Sequence, residues 1–131
     1  MILRPFDSKY DNPAIIEEIL SYSAAGTEDS APSVILMQYN ELTDQDLFIG
    51  SDNGVILGIA GVRYLSDGDG EIAHLAVVPE ARKKGHGREI IELLMSMYGL
   101  PGLLVTAGED ISAFFEKCGF SNQGGGKWLK K

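Results

Sequence analysis

Leu75-Ala76-Val77-Val78-Pro79-Glu80-Ala81-Arg82-Lys83-Lys84-Gly85-His86-Gly87-Arg88 is the stretch whose reading decides the fold. Its apolar opening reads as a buried strand that Pro79 stops. Gly85 and Gly87 let the backbone turn sharply and approach a ligand closely. Beyond them Ile90, Ile91, Leu94 and Met97 recur at helical spacing, which predicts a helix from about Gly85 to Tyr98. The first N–H groups of a helix lack internal partners, and the macrodipole favours negative charge there. A strand leading through a glycine turn into a helix is therefore an anion site suited to phosphate oxygens. Arg82, Lys83, Lys84 and Arg88 are four of the eleven basic residues. Cations at a helix start oppose the dipole by roughly 0.3–1 kcal/mol each, so an anionic ligand is the reason to place them there.

Upstream, a short strand is expected at Ile2 to Pro5. A helix capped by Asn12 with Pro13 in its first turn follows, with the stripe Ile15, Ile16, Ile19 and Leu20. Ala24 to Ser33 reads as a loop, and Ser33 to Asn40 suits a short helix or a strand. Leu47 to Ser51, Val55 to Leu65 and Glu71 to Val78 then form an antiparallel meander. Its turns are Asp52-Asn53-Gly54 and Ser66 to Gly70. Downstream, Gly99 and Pro101 close the glycine-turn helix, and Leu103 to Ala107 is a short buried strand. Asp110 is expected to cap a last helix with Ala113, Phe114 and Cys118 on its inner face and Gly119 at its end. Lys127 to Lys130 is a final strand. The order implies a mixed sheet with helices packed on it.

Neither common nucleotide fingerprint fits the turn. A dinucleotide site needs a third glycine where Ile90 stands, and Walker A needs Gly-Lys followed by Ser or Thr. The segment instead resembles the pyrophosphate loop of the GNAT-type N-acetyltransferases. Their Leu-Ala-Val-like strand and proline are followed by Arg or Gln, two residues, Gly, one residue, and Gly or Ala. Here these are Leu75-Ala76-Val77, Pro79, Arg82, Gly85 and Gly87. Ile111 to Phe120, with Phe115-Glu116-Lys117-Cys118-Gly119-Phe120, is similar to the family's later helix. The resemblance is strong over about residues 55 to 120. It implies an α/β (α+β) fold, one domain over residues 1–131, with a mixed, mostly antiparallel sheet of six or seven strands and helices on both faces.

The resemblance also implies a chemistry: transfer of an acetyl group from acetyl-coenzyme A to an amine by direct attack on the thioester. The backbone at Leu75, Ala76 and Val77 would pair with the pantetheine arm. The amides of Arg82, Lys83, Lys84, Gly85, His86, Gly87 and Arg88 would hold the pyrophosphate, and Asp110 and Phe114 would complete the cofactor site. Glu71 occupies the position of a general-base glutamate in some family members, acting directly or through a water. His74 follows on the same strand, and alternation places it on the opposite face from Glu71 unless a bulge intervenes. Two departures stand out. Phe115 replaces the tyrosine that often protonates the thiolate. Asp110 stands where Asn is frequent, weakening the expected contact to the arm. An acyl-coenzyme A binding module without catalysis is the alternative that Phe115 raises.

Composition bounds the rest. The 131 residues, 44% hydrophobic, suit one core. No apolar run approaches the ~20 residues needed to span a bilayer, the start lacks a signal-peptide layout, and the lone Cys118 excludes an internal disulfide. A cytoplasmic setting is the expectation. The net charge of −8 disfavours nucleic acid. The acid is concentrated in residues 1 to 71, with 13 acidic and 3 basic side chains, which favours a cationic acceptor, a small molecule or a protein amine. Two histidines and one cysteine give no metal-ligand spacing. The chain's shortness leaves room for a monomer with an open acceptor site or for a homodimer that completes it.

Overall fold

The computed structural model describes residues 1–23, 31–41 and 43–131. Most of the expected loop from Ala24 to Ser33 lies outside them. The elements in order are β1 (Ile2–Pro5), α1 (Pro13–Leu20), α2 (Pro32–Glu41), β2 (Gln45–Asp52), β3 (Val55–Tyr64), β4 (Gly70–Val77), α3 (His86–Met97), β5 (Leu103–Thr106), α4 (Glu109–Lys117), β6 (Ser121–Gly124) and β7 (Lys127–Lys130). A single 3₁₀ turn, Pro79–Ala81, separates β4 from the loop before α3.

Seven strands form one sheet in the order β1-β2-β3-β4-β5-β7-β6. Every pairing is antiparallel except β4 with β5. Alternation along the strands divides the core between the two faces. Phe48, Ala60 and Val62 pack with Ile90, Ile91 and Leu94 of α3 and Phe115 of α4. Leu47, Ile49 and Ile59 pack with Ile16, Ile19 and Leu20 of α1 and Ile35, Leu36 and Tyr39 of α2. The expected mixed sheet with helices on both faces is thus observed. No helix of the described residues is long and apolar enough to cross a membrane.

The helices follow from their sequences with some corrections. Asn12 caps α1 as expected, its side chain accepting from the Ala14 amide at 3.0 Å. Ile15, however, is largely exposed. The ambiguous segment after Ser33 is helical, because Ile35, Leu36 and Tyr39 share one face and bury it on the sheet. Met97 is exposed and the true stripe of α3 stops at Leu94. Asp110 does not cap α4. The helix starts one residue earlier, with Gly108 at the cap and Glu109 and Asp110 in the first turn, where acids suit the dipole. Its inner face is Ile111, Phe115 and Cys118, at spacings of four and three. Ala113 is exposed and Phe114 partly so. Strand β6 was not foreseen, since all four of its residues are exposed and carry no apolar pattern.

β4 contains a bulge. Gly61 pairs with His74 and Val62 with Ile72, so Ala73 has no partner on β3. Ile72 and Leu75, three apart, consequently both face the α3 and α4 core, while Ala76 faces α1 and α2. The extra residue inverts the alternation along the strand.

Candidate active site

β4 and β5 pair over three residues only, Gly70 with Leu103, Glu71 with Leu104 and Ile72 with Val105. Beyond Ile72 the strands separate, and β4 runs on to Val77 paired with β3 on one edge only. Its backbone groups there divide by alternation. The Val78 amide donates to the Leu57 carbonyl across β3, so Leu75 and Val77 turn theirs outward into the gap. The Leu75 amide donates to Ser23 Oγ at 3.1 Å, and the Val77 carbonyl accepts from Arg82 Nε at 3.2 Å. The gap opens into a cleft of about 750 Å³.

The wall of the cleft gathers most of the expected residues. Leu75, Ala76, Val77, Arg82, Lys83, Gly85, His86, Gly87, Arg88 and Phe114 all line it. Lys84, Asp110 and Glu71 do not. Asp110 instead folds its carboxylate toward the Gly108 backbone at the helix start. Sequence reasoning missed Tyr22, Ala81, Ile111 and Lys117, while Phe115, singled out for its missing hydroxyl, also lines the cleft. Lys117 follows Phe114 by three positions and so shares its face, a signal that was available. Tyr22 depends on where α1 ends in space, which has no local signature.

The loop's backbone is unusual. Gly85, at the start of α3, has φ 81°, and no side chain caps the helix there. Lys83 has φ 65°, a left-handed conformation that costs a non-glycine residue about 1–3 kcal/mol. Gly87 permits a close approach. A Cβ there would lie 3.0 Å from Phe114 Cζ and 3.7 Å from Val77 Cγ2, in space the cleft now keeps open. Arg82 also lies over the Tyr22 ring at 5.5 Å. Arg88 pairs with Glu92 at 3.1 Å on the exposed side of α3, and Glu89 in the first turn lies 3.6 Å from the chain's N-terminal amine.

A second group of polar side chains sits on the α2 face of the sheet, where the strands part. The bulge at Ala73 places Glu71 and His74 on the same face, overturning the expectation of opposite faces. Glu71 lies in register with Arg63 and accepts from its guanidinium, 3.1 Å from Nε. His74 is buried, and its Nδ1 lies 2.6 Å from Tyr39 Oη. Tyr39 and Asp44 lie close enough to Arg63 to help hold its guanidinium charged, after the larger contribution of Glu71. On the opposite face Phe115 is packed in the core against Phe114 and Phe120, so no hydroxyl stands at that point of α4. Burial pushes the Cys118 thiol up, only partly offset by Lys130 and Arg88.

The fold is a recurrent one among known proteins. The acetyltransferase (GNAT) domain profile matches residues 43–122, a span containing the parted strands, the loop and α4. An uncharacterised N-acetyltransferase from the lysA 3′ region of Bacillus methanolicus is 31% identical over 83 residues, 63% of this chain and 68% of its own length. Among solved structures, Rv2747 of Mycobacterium tuberculosis, in complex with CoA, superposes with a TM-score of 0.71 at 20% identity. The match covers 95% of this chain and 74% of that one. A chimeric spermidine N-acetyltransferase derived from Vibrio cholerae superposes with a TM-score of 0.73 at 14% identity, over 98% and 95% of the two chains. With more than half of its length matched by the domain profile, the chain belongs to the GNAT acetyltransferase family.

Proposed function

We propose that the protein is an N-acetyltransferase that takes an acetyl group from acetyl-coenzyme A and delivers it to a cationic amine. One observation carries the reading: the outward-facing Leu75 amide and Val77 carbonyl run directly into a cation-rich turn at the start of α3. An extended amide-bearing chain pairs with the first and a diphosphate with the second. The cradle fits such a group, because Gly87 keeps open the space that a Cβ would fill. The backbone of Leu75 to Val77 would hold the pantetheine arm. The turn from Arg82 to Arg88 would hold the phosphates, with the Phe114 ring flanking them. When bound, the cofactor supplies an activated acetyl thioester.

The chain's own residues supply the rest. The Leu75 amide faces the gap past the point where the strands part, which suits polarising a carbonyl at the inner end of the arm. A lysine-like amine titrates near about 10.4 and must shed a proton before attack. Glu71 takes that proton, directly or through a water, with its carboxylate oriented by Arg63. Thiols titrate near about 8.5, so a thiolate can leave without a proton from α4, where Phe115 replaces the family's tyrosine. The acid excess of residues 1 to 71 draws the acceptor in, so its affinity falls as salt rises. Spermidine, the substrate in the name of the Vibrio-derived enzyme, is one such amine. The free thiol Cys118 suits a reducing cytoplasm. The site acts within a monomer or is completed by a second copy.

Thiol release from acetyl-coenzyme A over a panel of polyamines, aminoglycosides and lysine peptides tests the proposal. Turnover with at least one cationic amine is expected. Tight coenzyme A binding with no release for any acceptor would instead support the second reading, a non-catalytic acyl-coenzyme A sensor. That reading is favoured by the hydroxyl-free Phe115, buried in the core.

A further inference from the structure

The two β4 groups that face the gap are both already engaged. Ser23 Oγ accepts from the Leu75 amide at 3.1 Å, and Arg82 Nε donates to the Val77 carbonyl at 3.2 Å. The two side chains come from distant parts of the sequence, one just past the end of α1 and the other from the turn before α3. They are tied together, because Tyr22, the neighbour of Ser23, lies under the Arg82 guanidinium at 5.5 Å. Tyr22 and Arg82 both form part of the cleft wall.

An N–H donates one good hydrogen bond. A ligand arm that pairs with the Leu75 amide must therefore take the place of Ser23 Oγ. We propose that Ser23 and Arg82 are place-holders for the two polar groups of a pantetheine-like arm, and that cofactor binding is an exchange. Ser23 gives up the Leu75 amide, and Arg82 gives up the Val77 carbonyl and becomes available to phosphate. The end of α1, which belongs to the helical layer opposite α3 and α4, loses this bond to β4 in the same event. Ser23 thereby sets the affinity for the arm without contributing to the phosphate grip, and the α1 end responds to the cofactor before any acceptor arrives. This inference rests on the coenzyme A reading above.

Titration calorimetry of the Ser23→Ala chain with two probes tests it. Coenzyme A carries the arm, while adenosine 3′,5′-bisphosphate lacks it. Losing a competing neutral hydrogen bond should tighten coenzyme A binding by about threefold to tenfold and leave the bisphosphate affinity unchanged. Ser23→Thr, which keeps the hydroxyl, should match the wild type. Should the alanine variant not fold, Ser23→Cys keeps the volume, weakens the acceptor and should move affinity the same way. Unchanged or weaker coenzyme A binding in these variants overturns the exchange while leaving the cofactor reading intact. A wild-type chain that binds no coenzyme A overturns both.

Discussion

Tyr39 Oη sits 2.6 Å from His74 Nδ1 only because residue 61, facing them from β3, is glycine. A Cβ at Gly61 would lie 1.8 Å from that hydroxyl and 2.6 Å from Tyr39 Cζ. Gly61→Ala should therefore drive Tyr39 off the sheet, break its bond to His74 and destabilise the chain by about 1–3 kcal/mol, the usual cost of overpacking. A urea midpoint equal to the wild type would contradict the packing. Adding Tyr39→Phe removes the nearer atom and should recover part of the loss.

Glu71→Gln keeps the shape of the side chain and removes its capacity to take a proton. If Glu71 is the base, kcat should fall by roughly 10²- to 10⁴-fold with coenzyme A affinity unchanged, since Glu71 is not part of the cleft wall. A variant retaining full turnover would transfer the role elsewhere on the same face.

Gly87→Ala separates stability from binding. Alanine is favoured over glycine inside a helix by about 1 kcal/mol, so the urea midpoint should hold or rise. The new methyl meets the Phe114 ring at 3.0 Å and narrows the cleft. Coenzyme A affinity should fall about tenfold, a change of about 1.4 kcal/mol, and pairing the change with Phe114→Leu should return part of it. Affinity that survived the methyl would remove Gly87 from the cradle.

The acid limb of stability should depend on Asp11. Arg4 donates to both its carboxylate oxygens, at 2.9 and 2.6 Å, and the Asp7 amide adds a third bond at 2.7 Å. The hydrogen bond from Arg4 is the main cause that holds the carboxyl below its ordinary value, against the opposing effect of burial. A depressed carboxyl stabilises the fold above its unfolded value, near about 3.9, and the contribution fades as pH falls through the folded one. Asp11→Asn should lower stability at pH 7 and flatten its decline below about pH 4. Urea midpoints at pH 7 and pH 3 measure both. An unchanged slope would show that the pair does not steer acid unfolding.

What the sequence disclosed was local, and what it withheld was relational. The strand, turn and helix read from Leu75 to Arg88 are observed, because strand end, glycine turn and helix stripe lie within one short span. The meander was equally plain from its turns. The Ala73 bulge was not, because it exists only as a mismatch between β3 and β4, and it alone decides that Glu71 and His74 share a face. Phe115, not Phe114, takes the inner face of α4 for a similar reason. Two adjacent aromatics satisfy a helical stripe almost equally, and only the packed core tells which one Phe120 and Cys118 surround. Tyr22 and Ser23 were invisible as site residues, since nothing local says that the end of α1 reaches β4.

The three-residue contact between β4 and β5 makes this sheet two plates sharing a short seam, β1 to β4 on one side and β5 to β7 on the other. A molecule wedged above the seam touches both plates, through Val77 on one and the α4 residues that follow β5 on the other. Its binding energy then adds to the cohesion between them. Melting temperature should climb with ligand concentration, which turns a simple heat ramp into a screen for whatever occupies the wedge.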